Sequence, residues 1–93
     1  MDPDALADIV KRAKRRDKDA LRVLCEHYYP KIVRYMYYRV DPQVAEDLAN
    51  DVFVKMMRAI GTQQRSFEPW LYKIARNTAI DWYRNKGSNR EIN

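Results

Sequence analysis

The sequence predicts an all-α fold, a compact bundle of about four helices. Three observations predict it. Apolar residues recur at helical spacing along almost the whole chain, from Leu6 to Trp82. Only two glycines and four prolines occur, too few for a turn-rich β fold or a disordered segment. Asp2 or Asp4, Asp17 or Asp19, Asp41-Pro42 and Ser66 stand where the periodic runs begin, as helix caps do. Ninety-three residues suit one domain with one modest core.

The first helix places Leu6, Ile9, Val10 and Ala13 on one face. Its last turns carry Lys11, Arg12, Lys14, Arg15 and Arg16, where the helix dipole favours cations. That run is open between a solvated helix end and a DNA contact. A second periodic run, Ala20, Leu21, Leu24, Tyr28, Ile32, Tyr35, Met36 and Val40, contains Pro30. An interior proline costs about 3 kcal/mol, so a kink or a junction of two helices is expected at Tyr29-Pro30. Tyr28, Tyr29, Tyr35, Tyr37 and Tyr38 cover more than one face, so some are core and others reach water.

Asp41 and Pro42 open a third helix as cap and first residue. Val44, Ala45, Leu48, Val52, Phe53, Met56 and Ile60 form its apolar stripe, and Glu46, Asp47, Asn50 and Asp51 its opposite face. Residues 41–60 hold four acids and two bases, a net −2 inside a chain of net charge +5. Gly61 is expected to end this helix, with 61–66 as a loop. Ser66 then caps a fourth helix with Pro69 in its first turn, and Trp70, Leu71, Ile74, Ala75, Thr78 and Trp82 form a stripe. Leu48, Val52, Leu71 and Ile74 are expected to be buried. From Gly87 onward the chain reads as a tail or the start of a linker, so the domain is drawn as 1–86 and the tail as 87–93.

The composition excludes several function classes. Cys25 is the only cysteine and His27 the only histidine, so no internal disulfide or zinc-ligand pattern is available. Cys25 lies among Val23, Leu24 and Tyr28 and reads as core. No phosphate-binding loop, nucleophile elbow or metalloprotease motif occurs, so neither an enzyme nor a cofactor is expected. No apolar run approaches the ~20 residues that cross a bilayer, and no signal peptide is read at the N-terminus, so a cytoplasmic protein is expected. The basic balance favours an acidic partner, nucleic acid being the commonest.

Two ordered motifs carry a family resemblance. Val44-Ala45-Glu46-Asp47-Leu48-Ala49-Asn50-Asp51-Val52-Phe53 resembles the A-E-D-L-x-Q-E-V-F signature of extracytoplasmic-function sigma factors. Phe67-Glu68-Pro69-Trp70-Leu71-Tyr72-Lys73-Ile74-Ala75-Arg76-Asn77 is similar to their F-x-x-W-L-x-x-I-A-R-N, and Thr78 to Arg84 to the x-A-x-D-x-x-R that follows. Leu24, Tyr28, Tyr29 and Ile32 fit the opening L-x-x-x-Y-Y-x-x-V. The resemblance spans roughly residues 5–86 and implies region 2 of the sigma-70 family.

It further implies two partners. Glu46, Asp47, Asn50 and Asp51 would dock on core RNA polymerase, at the clamp coiled coil of the large beta-prime subunit. Asp47 and Asp51 stand i, i+4 and share a face, although a merely solvated acidic face has the same pattern. Thr62, Gln63, Gln64, Arg65, Ser66, Trp70, Lys73, Arg76, Asn77, Arg84 and Lys86 would hold the single-stranded promoter minus-ten element, with one base extruded into a pocket made by the loop. Trp70 is open between core and stacking platform, and Trp82 is read as core. An anti-sigma factor covering this surface is a further implied partner.

The match has departures. Asn50-Asp51 replaces the usual Gln-Glu, and the closing basic run is reduced to Arg84, Lys86 and Arg90. The family's C-terminal region 4 domain is absent from these residues, which implies an N-terminal domain that does not activate transcription efficiently alone. Two other readings compete: a regulatory interaction module that only sequesters partners, and a duplex-reading helix-turn-helix protein. The acidic third helix argues against the second.

Overall fold

A computed structural model describes the backbone of residues 1–92 and the side chains of residues 1–86. The expected linker or tail at 87–93, and Arg90 with it, lies outside the described side chains. Four helices form: α1 (Pro3–Lys14), α2 (Lys18–Tyr37), α3 (Pro42–Ala59) and α4 (Phe67–Ile92), with a 3-10 turn at Ile60–Thr62. The described residues contain no strand. α2 is central, packing on α1, α3 and α4, and α3 packs on α4.

The caps explain the helix starts. The Asp2 carboxylate accepts from the Ala5 amide at 3.2 Å. The Asp17 carboxylate accepts from the Asp19 and Ala20 amides at 2.9 and 3.2 Å, and from Arg12 at 3.0 Å. Those bonds, led by the Ala20 amide and Arg12, hold the Asp17 carboxyl below its usual range. Asp41 occupies the cap position of α3 but makes no side-chain cap bond. Its carboxylate turns instead to Lys86 Nζ at 2.9 Å, tying the start of α3 to the far part of α4.

α2 is one helix through Pro30, not two. Ala20, Leu24, Tyr28, Ile32 and Met36 form an unbroken i, i+4 stripe, each at most 1% exposed. Burial on both sides of the proline holds the helix together. Pro30 itself is exposed, so water can reach the region where its missing N–H would have bonded.

α3 tightens into the 3-10 turn rather than ending at a left-handed glycine. Gly61 sits inside that turn and has no positive φ. The left-handed residue is Arg16, at φ 68° in the α1–α2 turn. Its guanidinium donates to the Met57 carbonyl near the end of α3. This bond crosses from the α1–α2 turn to the last turn of α3, where the dipole favours a cation.

The core differs in depth from the expectation. Val52 and Leu71 are fully buried, but Leu48 and Ile74 only flank the core. Ala45 and Ala49 hold the deep positions of α3. Small side chains let the helices approach closely, and the larger Leu48 is left at the edge of the contact. Thr78, also buried, donates to the Ile74 carbonyl at 2.8 Å and accepts from Lys55 Nζ at 2.9 Å, linking α3 to α4.

Candidate nucleic-acid and polymerase interfaces

Two separate surfaces gather the residues singled out from the sequence. On α3, Glu46, Asp47, Asn50 and Asp51 are all exposed. Among the described residues none of the three carboxylates has an ion-pair partner. Beside them runs an apolar groove between α2 and α3 of about 580 Å³, lined by Cys25, Glu26, Tyr29, Pro30, Asn50, Phe53, Val54 and Met57. Tyr29 and Pro30 also border a second hollow with Val33, Arg34, Tyr37 and Tyr38. Asn50 therefore joins the acidic face to an apolar strip.

The strip was not assigned from sequence. The signal was present, however, in tyrosines too numerous for one helix face: Tyr37 and Tyr38 are exposed, while Tyr28 is core. Cys25 is half-buried here rather than wholly core. Burial, then Glu26, pushes its thiol up, which keeps it protonated and unreactive.

The second surface is built by the loop before α4. Thr62 is exposed, and its hydroxyl donates to the Ala59 carbonyl at 3.0 Å. Gln64, Arg65 and Ser66 are exposed. Gln63 is not: it is 5% exposed, and its Nε2 is buried without a hydrogen-bond partner. Gln63 lines a cleft of about 390 Å³ between α1 and the loop, whose other walls include Leu6, Val10, Lys11, Lys14, Arg65 and Phe67. A buried amide N–H group left unmatched costs about 1–3 kcal/mol, so its presence at a cleft wall calls for a reason.

Arg65 and Ser66 also line a neighbouring hollow of about 520 Å³ with Pro69, Trp70 and Lys73. The two cavities therefore share a rim. Trp70 is half-buried, its ring 5.9 Å from Phe67, so one part packs and the remainder stays accessible. At ~100° per residue, Trp70, Lys73, Asn77 and Arg84 fall within about 60° of one face of α4. Arg76 lies off that arc, although it is exposed as Lys73 and Asn77 are.

The far part of α4 is more committed to the fold. Lys86 pairs with Asp41 and stands 4.9 Å over the Trp82 ring. Arg84 is exposed, 3.9 Å from Asp81. Trp82 packs against the core. The structure thus brings Gln63, Arg65, Ser66, Trp70 and Lys73 together around two joined cavities, continues their face through Asn77 to Arg84, and separates Lys86.

Residues 24–89 match the family model described as Sigma-70 region 2. The chain belongs to the sigma-70 region 2 family. It is 36% identical over 95 residues to the ECF RNA polymerase sigma factor BldN of Streptomyces coelicolor, covering 98% of this chain and 36% of that one. It is 40% identical over 77 residues to the RNA polymerase sigma-H factor of Pseudomonas aeruginosa, covering 76% of this chain and 38% of that one. The chain thus spans little more than a third of the length of these relatives. An engineered region 2 of sigmaE, solved by NMR in complex with GTAAAA, superposes with a TM-score of 0.81 at 29% identity, with 87% of each chain covered. These relatives make it a region 2 domain of the extracytoplasmic-function type, and the sigma-70 region 2 fold is the four-helix arrangement described above.

Proposed function

We propose that this sigma region 2 domain docks on core RNA polymerase through α3 and binds the non-template single strand of the promoter minus-ten element through the loop and α4. It recognises and melts the promoter without catalysing a reaction, and acts in the cytoplasm. Among the described residues no helix is long and apolar enough to cross a membrane. The observation that carries the DNA half of this reading is Gln63, its buried amide N–H unpartnered, in the wall of a cleft that shares its rim with the Trp70–Lys73 hollow.

A base drawn out of the stack needs a slot with a polar edge, and the Gln63 cleft supplies both. The next base needs a ring to stack on, worth ~1–3 kcal/mol, and the accessible part of Trp70 offers one. Lys73 and Arg65 stand where phosphates of the same strand would run, with Asn77 and Arg84 further along α4 and Arg76 beside them. Ser66 lines both cavities, and Thr62 and Gln64 are exposed on the segment before it. Lys86 belongs to the fold first, and would contact DNA only by leaving Asp41. The sigmaE region 2 solved with GTAAAA supports the same assignment here.

The polymerase half rests on three unpaired carboxylates beside an apolar strip. A basic helical partner, such as the clamp coiled coil of the beta-prime subunit, would satisfy Glu46, Asp47 and Asp51 while covering Tyr29, Val54 and Met57. An anti-sigma factor would compete for the same strip.

Binding to one minus-ten sequence, presented single-stranded and as duplex, tests the reading by fluorescence anisotropy, with and without the polymerase clamp fragment. Preference for the single strand, strengthened by the clamp fragment, is expected. Equal or better binding to the duplex would return the chain to the helix-turn-helix alternative.

A further inference from the structure

The basic end of α1 is a charged feature that the proposed interfaces do not use, and it borders the Gln63 cleft. Pro3, Leu6, Ala7, Val10, Lys11 and Lys14 recur at i, i+3 and i+4 and all line the Gln63 cleft. α1 therefore presents a single stripe to it, apolar in its first turns and cationic in its last. Arg12 points elsewhere, engaged with Asp17 at 3.0 Å. Among the described residues Lys11 and Lys14 pair with no carboxylate.

We propose that α1 is the second wall of the nucleotide site, and that Lys11 and Lys14 hold the phosphodiester backbone of the strand whose base enters beside Gln63. This rests on the single-strand reading given above. The composition of the cleft fits a nucleotide: apolar side chains for the base faces, a glutamine in the wall whose buried amide N–H has no partner and would meet an acceptor on a base edge once the side chain turns outward, and two lysines in the lining. Arg65 stands on the opposite side of the same opening. A strand passing between the loop and α1 is then flanked by cations on both sides, whereas a strand held by α4 alone is not. Both lysines sit on helical backbone, so their positions are fixed better than those of loop side chains.

The test compares two double variants of the full chain with equal loss of charge. Lys11→Gln with Lys14→Gln removes the rim cations. Arg15→Gln with Lys18→Gln removes two from the same end of the molecule, outside the cleft. Each phosphate contact to a single strand contributes ~0.7 to the slope of log affinity against log salt. The rim variant is therefore expected to lower that slope by about 1.4 and the affinity at 0.1 M salt by about 25-fold, on cognate and scrambled strands alike. The control variant should change both much less. A strand with neutral methylphosphonate linkages should erase the difference between parent and rim variant. Equal losses in the two variants, or no change in the rim variant while the parent binds, would overturn the proposal and leave the single-strand reading standing. A parent chain that binds no single strand at all would overturn both. Unchanged helical circular dichroism in both variants keeps the comparison one of binding.

Discussion

The phenol of Tyr28, at the centre of α2, donates to the Glu68 carboxylate at the start of α4 at 3.0 Å, across 40 residues of sequence. Tyr28 is 1% exposed and its ring also packs on Phe67, 5.4 Å between centroids. A core aromatic thus anchors the N-terminal turn of the helix that carries Trp70 and Lys73. Burial, followed by the bond to Glu68, pushes the Tyr28 phenol up to about 12. The neutral phenol is the form that folding favours. In the unfolded chain it ionises near 10, so between about pH 10 and 12 the unfolded state binds fewer protons and stability falls as pH rises. Stability is therefore expected to decline progressively across that window. Tyr72, also raised by burial and Glu68, acts in the same direction. Tyr28→Phe should cost about 1 kcal/mol at neutral pH and flatten the alkaline decline, as read by urea denaturation at several pH values.

Arg16 combines a backbone cost with a side-chain gain. A non-glycine residue at φ 68° is held about 1–2 kcal/mol above its preferred conformation. The bond from its guanidinium to the Met57 carbonyl offsets this. Arg16→Gly removes both terms, so its stability should stay within about 1 kcal/mol of the parent. Arg16→Ala loses only the bond and should be the less stable by about 1 kcal/mol. Chemical denaturation of the three proteins gives the order directly, and an alanine variant as stable as the glycine variant would contradict this account of the turn.

Core substitutions should follow depth and not periodicity. Leu71→Ala is expected to cost about 2–5 kcal/mol, because Leu71 has no exposed surface. Leu48→Ala should cost less than about 2 kcal/mol, since Leu48 only flanks the core. Thermal melts that rank the two the other way would place Leu48, not Leu71, at the tightly packed contact.

That contrast marks what the sequence could convey. The four helices were legible because each signal is local: Asp17 bonds amides two and three residues away, and the stripe from Ala20 to Met36 needs only a 3.6 period. Helical period names a face but not a depth, so Ala45 and Ala49 could not be ranked below Leu48. Pro30 was read from its own cost, without the tertiary burial on either side of it that overrides that cost. Lys86 joined the DNA set because its partner, Asp41, lies 45 residues away. Gln63 stands in the DNA set as a loop residue, but the facing wall of its cleft comes from α1, and nothing in the loop's own sequence foretells that.

Asp47→Arg with Asp51→Arg should abolish binding to core polymerase while the helical circular dichroism persists. Both carboxylates are exposed and unpaired among the described residues, so their reversal removes no intramolecular ion pair. A pull-down with core polymerase reads the effect. Undiminished capture of the double variant would assign these carboxylates to solvent alone.

Gln63 offers the sharpest separation of folding from recognition. Its buried amide N–H group has no partner within the domain, and such a group weakens a fold by about 1–3 kcal/mol. Methionine has a similar length and no polar group to satisfy. Gln63→Met should therefore raise stability by about 1 kcal/mol, seen as a higher melting temperature. If the amide instead waits for an acceptor on an extruded base, the same change should reduce affinity for the cognate minus-ten strand about tenfold or more and leave a scrambled strand almost unaffected. Gln64, fully outside the cleft, serves as the comparison: Gln64→Met should alter neither melting nor the ratio of cognate to scrambled affinity appreciably. A more stable Gln63→Met protein that still discriminates the two strands as the parent does would mean that the orphaned amide has no part in recognition. Sequence preference would then have to come from Asn77 and its neighbours along the exposed face of α4.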